Sequence, residues 1–213
     1  MESASGGHGH GTMVAGILAA LAPDALIMPL RAFDDTGAGD SYQVAKAIRF
    51  AVRNGAHVIN LSLGLSSDAP EVQAAVEFAQ RRGVIVVASA GNSNSSQEQY
   101  PAALPNVISV AATDLYDHKA AFSNFSRSVF VSAPGVNIIT AFPGGYAVAS
   151  GTSFSSAIVA AEVALLRSLT TADLHRAVAL STVNINSLNP AYVGQLGYGR
   201  IDLLAAISYV TAP

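Results

Sequence analysis

The sequence predicts a three-layer α/β domain, a mostly parallel sheet flanked by helices. Two observations lead there. The segments HVINLSL (57–63) and VIVVA (84–88) are nearly continuous apolar runs. A strand buried on one face alternates in character, whereas one buried on both does not, and burial on both faces marks a parallel sheet covered by helices. Around these runs the apolar period lengthens from two to about 3.6, so strand and helix alternate along the chain.

Residues 9–21 predict a helix and 25–33 a strand. Ser41–Arg53 predicts a helix with Val44, Ala45, Ile48, Ala51 and Val52 as its apolar positions and Gly55 beyond its end. The unit then repeats: strand 56–63, helix 70–82 with Val72, Ala75, Val76 and Ala79 on one face, Gly83 as the stop, and strand 84–88. Pro70 suits a first helical position, where its missing N–H has no intrahelical partner to lose. Short strands are predicted at 107–112, 129–131 and 136–141, and helices at 152–168, 172–180 and 201–210. No linker, repeat or low-complexity tract divides the chain, so residues 1–213 read as one domain.

Composition narrows the function. Of 213 residues, 51% are hydrophobic and 12% charged, and the net charge is -3. That suits a well-filled core and supplies no basic footprint for nucleic acid or an anionic membrane. The densest basic spot, Arg81 and Arg82, falls at a predicted helix end. The absence of cysteine excludes disulfides and thiolate metal sites. The first residues lack the basic-then-apolar pattern of a signal peptide, and no apolar run reaches the roughly 18 residues of a membrane span.

Three patches gather glycines and small residues around one reactive type. In Gly9-His10-Gly11-Thr12-Met13-Val14-Ala15-Gly16 a histidine opens a helix whose small residues let it pack closely on the sheet. Ser150-Gly151-Thr152-Ser153-Phe154-Ser155-Ser156 runs straight into an apolar helix. Read singly, Thr152 or Ser153 is a helix cap. Alternatively Ser153 sits at the helix start, where its own N–H and the positive end of the helix dipole face a developing oxyanion. Ala88-Ser89-Ala90-Gly91-Asn92 follows the buried strand 84–88, at the end where α/β folds bind ligands. Asn92 is either a turn former or a side-chain donor for acyl transfer.

These three motifs, in this order, resemble the subtilisin-like serine peptidases. The resemblance continues through VINLSLG, YPAALPNVISVAATD, FSNFS, SAPG and GYGRIDLLAAI. It implies a serine endopeptidase with Ser153 as nucleophile, His10 as general base and Asn92 as the oxyanion donor that joins the Ser153 N–H. It also implies a peptide or protein substrate laid between two strand edges, Gly37, Ala38 and Gly39 on one side and Ser62, Leu63 and Gly64 on the other. Ser89, Ala90 and Gly91 would wall the primary specificity pocket opposite Leu63 and Gly64, giving an uncharged, mainly apolar preference, with Glu98 and Gln99 at its floor. No cofactor is expected; calcium binds many relatives, but no ligand set here carries over. A secreted or extracytoplasmic location is the family's expectation.

The chain departs from the family pattern in four places. Met13 stands where histidine is usual, Ala157 where proline is, and Glu162 where a small or apolar residue is. Glu162 shares a helix face with Val159, Val163 and Leu166, so it is either at an exposed edge or a buried carboxylate in want of a partner. The family also sets a triad aspartate on a strand well before the histidine. Only nine residues precede His10, and the sole acid among them is Glu2. The expectation is therefore a domain incomplete at its N-terminus, lacking the first strands, with impaired activity.

No spacing supports replacement of that aspartate by Asp34, Asp35, Asp40, Asp68, Asp114 or Asp117. His8 and His10 invite a metal reading, but no third ligand accompanies them. Two other functions compete with peptidase activity: a catalytically deficient peptide-binding pseudo-peptidase, and an interaction domain completed by another chain. An uncovered sheet edge would also favour self-association.

Overall fold

The computed structural model describes residues 8–34, 36–65 and 67–212. Its centre is a four-stranded parallel sheet of β1 (Val58–Leu61), β2 (Ile85–Ser89), β3 (Ile108–Thr113) and β4 (Val131–Pro134), side by side in chain order. Val58 lies opposite Ile85, Val87 opposite Ile108 and Val110 opposite Val131. Along β2, Val86 and Ala88 join one apolar cluster while Ile85 and Val87 join the other. Both faces are covered, which is why the run VIVVA does not alternate.

The chain enters through α1 (His10–Leu21) and later covers one face of the sheet with α2 (Ser41–Arg53) and α3 (Pro70–Arg81), through Val44, Ile48, Val72 and Val76. Asp40 caps α2 by accepting from Gln43 N at 2.7 Å. The opposite face is covered by α4 (Thr152–Leu169), α5 (Leu174–Leu180) and α6 (Leu203–Thr211). Asp173 and Asp202 cap the last two. At 18 residues and mean hydropathy 1.2, α4 has the length and composition of a membrane span, contrary to the sequence expectation. Val159, Ala160, Val163 and Leu166 instead pack on the sheet, and 61% of the helix is buried.

The strand predicted at 136–141 forms as β5 (Ile138–Phe142), in an antiparallel hairpin with β6 (Gly145–Ala149) outside the main sheet. It is against this hairpin and α4, not the main sheet, that α1 packs. A Cβ on Gly16 would lie 2.7 Å from Thr140 Oγ1, so only glycine permits this approach, and that hydroxyl donates to Met13 O at 2.6 Å. Met13 and Ala157, two of the departures, are buried together here with Ile17 and Phe154.

The strand predicted at 25–33 does not form: the stretch carries no ladder, and Leu26 is fully exposed at 101%. An apolar run becomes a strand only where a neighbour accepts its backbone hydrogen bonds.

Candidate active site

The first turn of α4 organises the site. The Thr152 N–H and hydroxyl both donate to Asn92 Oδ1, at 2.9 and 2.8 Å, and the same hydroxyl accepts from Gly91 N at 3.2 Å. A backbone N–H can only donate, so the atom facing it must be the amide oxygen of Asn92. Asn92 Nδ2 is thereby turned the other way, where a Cβ on Gly151 would be 3.6 Å from it. It donates no hydrogen bond to any described residue and so remains a free donor beside the start of the helix. Ser153, the second residue of α4, brings its own N–H, which has no intrahelical acceptor because it lies in the first turn.

Ser153 is anchored from behind. Its carbonyl accepts from Ser62 Oγ at 2.8 Å and Ser156 Oγ at 3.0 Å, and Asn60 Nδ2 donates to Ser62 Oγ at 2.9 Å. Its hydroxyl is partly exposed and makes no hydrogen bond to any described residue. The predicted edge residue Ser62 thus turns its side chain inward to hold the backbone of the candidate nucleophile.

His10 opens α1 directly after Gly9, whose φ of 76° is the left-handed conformation that glycine adopts without steric cost. The imidazole centroid lies 6.0 Å from the ring of Phe154, the residue after Ser153. Burial lowers the His10 pKa, and no carboxylate among the described residues offsets that effect. Among the described residues nothing hydrogen-bonds to the ring. Asp34, Asp40, Asp114 and Asp117 are committed to Thr36, Gln43, Tyr116 and Arg200. Glu2 and Asp35 lie outside the described residues.

The turn that carries Asn92 is pinned by Asn124, whose contribution the sequence did not reveal. At 3% exposure, Asn124 accepts from Ser93 N at 2.8 Å and Ser95 N at 3.2 Å and donates from Nδ2 to Ala90 O at 3.0 Å. Lys119 adds a second pin: its ammonium donates to Asn94 Oδ1 and Ser123 O at 2.8 and 2.9 Å and lies over the Phe125 and Tyr192 rings. The only sequence signal was the position of Asn124 inside FSNFS.

Of the residues predicted to wall the specificity pocket, Gly91 and Gly64 both lie against the Gln99 side chain. A Cβ on Gly64 would lie 2.5 Å from Gln99 Oε1, and one on Gly91 would meet the same atom. The Leu65 and Tyr100 backbones exchange hydrogen bonds of 2.7 and 3.1 Å and tie the segment after Gly64 to the one after Gln99. Gly37 and Ala38 sit in a turn organised by Asp34, which engages both their N–H groups and the Ala38 carbonyl. The Gly39 N–H and carbonyl make no such bond.

His8 packs edge-on against Phe142 with ring centroids 6.0 Å apart. Among the described residues no three His, Asp or Glu side chains cluster to hold a metal ion, so no calcium ligand is assigned.

The Subtilase family profile matches residues 1–199. The chain is 40% identical to the thermophilic serine proteinase of Bacillus sp. (strain AK1), over 94% of this chain and 52% of that one. It is 38% identical to thermitase of Thermoactinomyces vulgaris, over 95% of this chain and 76% of that one. The self-cleaved protease domain of PatA superposes with a TM-score of 0.82 at 32% identity, covering 94% of this chain and 83% of that one. The chain spans about half to two thirds of the length of several relatives it matches.

Proposed function

This chain belongs to the subtilase family, and from that premise we propose that it is the catalytic part of a serine endopeptidase acting through an acyl-enzyme. One observation supports the reading: the free amide of Asn92 lies at the first turn of α4, where Ser153 presents its N–H and hydroxyl, and the His10 ring approaches the side chain of Phe154 in that turn. Ser153 Oγ attacks the scissile carbonyl and passes its proton to His10. The carbonyl oxygen, now negative, takes the Asn92 and Ser153 donors, which are already oriented before charge develops. The C–N bond then breaks, and the amine leaves with the proton held on His10. Water attacks the acyl-enzyme by the same route, with His10 again taking and returning the proton.

In the primary pocket the Gln99 carboxamide takes the space between Gly64 and Gly91, which favours a small, uncharged side chain before the scissile bond. Because no described carboxylate orients His10 or stabilises its imidazolium, the chain turns over slowly by itself.

A second reading, a peptide-binding or interaction domain completed by another chain, draws on the exposed apolar run Leu26, Ile27, Met28 and Leu30. The same surface would support self-association. A fluorophosphonate probe separates the readings. The peptidase reading requires covalent labelling that Ser153→Ala abolishes; an unlabelled but folded chain supports the binding domain.

A further inference from the structure

Glu162 takes no part in the site above. It lies midway along α4, is 2% exposed, and neither carboxylate oxygen has a hydrogen-bond partner among the described residues. Burial and the neighbouring Asp202 carboxylate push its pKa up to about 7. Arg200, the nearby cation, is committed elsewhere: Nη1 donates to Ile201 O at 2.8 Å, and Nε sits 2.7 Å from Asp117 Oδ1. Asp202 is also occupied, capping α6 through Ala205 N at 3.0 Å. An unpaired buried carboxylate costs several kcal/mol unless a cation meets it or a proton neutralises it.

Glu162 belongs to the lining of a groove of about 380 Å³ whose other walls include Leu21, Ile158, Leu203 and Leu204. Asp202 and Arg200 line it as well, the Arg200 charge being met by Asp117, so the two carboxylates leave the groove acidic. Carboxylates within aliphatic walls complement a long apolar stem that ends in a positive charge. A divalent metal fits less well, because it needs more oxygen ligands than these two side chains offer, and no third acidic or histidine side chain joins them among the described residues. We infer that this groove binds a lysine or arginine side chain, flanked by apolar residues, of a separate polypeptide, with Glu162 and Asp202 as its counter-charges. The site is independent of peptidase activity.

Nuclear magnetic resonance on the Ser153→Ala chain, which cannot cleave its probe, tests this. The probe is acetyl-Leu-Lys-Leu-amide, compared with its norleucine counterpart. The lysine peptide is expected to bind saturably, shift the Ile158 and Leu204 methyl signals, and lower the Glu162 carboxyl midpoint by about one pH unit. The norleucine peptide should bind about ten-fold more weakly, and Glu162→Gln, a neutral near-isostere, should erase that difference. Equal binding of the two peptides, or lysine binding unchanged in Glu162→Gln, overturns the inference. So does a saturable Glu162 shift with calcium chloride where the lysine peptide gives none. Self-association of the chain that Glu162→Gln abolishes would make the occupant a second copy and overturn it as well.

Discussion

Thr152 and Asn92 share one acceptor atom: both donors of Thr152 converge on Asn92 Oδ1, at 2.9 and 2.8 Å. The contact joins the end of β2 to the start of α4 and decides which end of the Asn92 amide faces Gly151. Thr152→Val keeps the backbone donor but deletes the hydroxyl, leaving the buried Gly91 N–H without its acceptor. Turnover is expected to fall about ten-fold with KM little changed. Asn92→Ala should fall about 10²- to 10³-fold, the loss known for the matching oxyanion donor of subtilisin itself. Steady-state kinetics on one peptide substrate compares both variants with the parent.

Asn124 acts one step further back, by holding the turn that presents Asn92. Asn124→Ala strands two backbone donors, Ser93 N and Ser95 N, and frees the Ala90 carbonyl. It is expected to lower kcat about ten- to hundred-fold and to reduce stability by about 1–3 kcal/mol. Asn124→Asp retains the acceptor and should recover part of the turnover. A loss of stability with kcat unchanged would reduce Asn124 to a structural role.

These two residues mark where the sequence stopped being legible. Strand 84–88 was readable because burial on both faces writes itself into every residue of the run, and 56–63 because its apolar residues are β-formers, although only Ile59 and Leu61 are fully buried. The helices were readable because their apolar positions recur at 3.6. The stretch 25–33 has the composition of a strand, yet no neighbour pairs with it, and composition carries no information about neighbours. β6 escaped because Tyr146 and Val148 are exposed and the hairpin is held mainly by its partner strand. His10, Asn92 and Ser153 were found as motifs, but the Ser62 contact to Ser153 spans 91 positions and the Asn124 contact to Ala90 spans 34. Only the fold brings such pairs together.

Gln99→Gly should empty the space between Gly64 and Gly91. The expected result is a gain in kcat/KM for phenylalanine over alanine before the scissile bond of about ten- to hundred-fold, the scale of a change in pocket size. Paired chromogenic peptides differing only at that residue measure it. An unchanged ratio would place the pocket floor elsewhere.

Glu162 gives the chain a pH-dependent stability. Its folded pKa of about 7 lies above the ordinary 4.5, so the folded state holds the proton more tightly than the unfolded one. Stability is therefore greatest below about pH 4.5, is lost as pH rises toward about 7, and levels off above that, by roughly 3 kcal/mol in all. Denaturant melts from pH 4.5 to 8.5 should show this decline for the parent and a flatter profile for Glu162→Gln. If the two profiles run parallel, another group is responsible.

The remaining prediction concerns the base. Catalysis requires neutral His10, so the acidic limb of kcat/KM reports the pKa of this ring in the free enzyme. Among the described residues burial alone acts on it, in the direction that favours the neutral form, so the limb is expected below the ordinary imidazole value of 6.5. A carboxylate partner would move it the opposite way, by stabilising the imidazolium, and would raise turnover at the same time. That coupling makes the profile diagnostic. A limb below 6.5, with turnover about 10⁴-fold under that of thermitase on the same substrate, means that His10 works without an orienting carboxylate; the factor is the one known from triads that lose theirs. Supplying an aspartate-bearing strand, as a peptide or an N-terminal fusion, should then raise both the limb and the rate. A limb above 6.5 in the 213-residue chain, with turnover near that of thermitase, would mean that a carboxylate already reaches the ring, and Glu2 and Asp35, which lie outside the described residues, would be the first to replace by alanine.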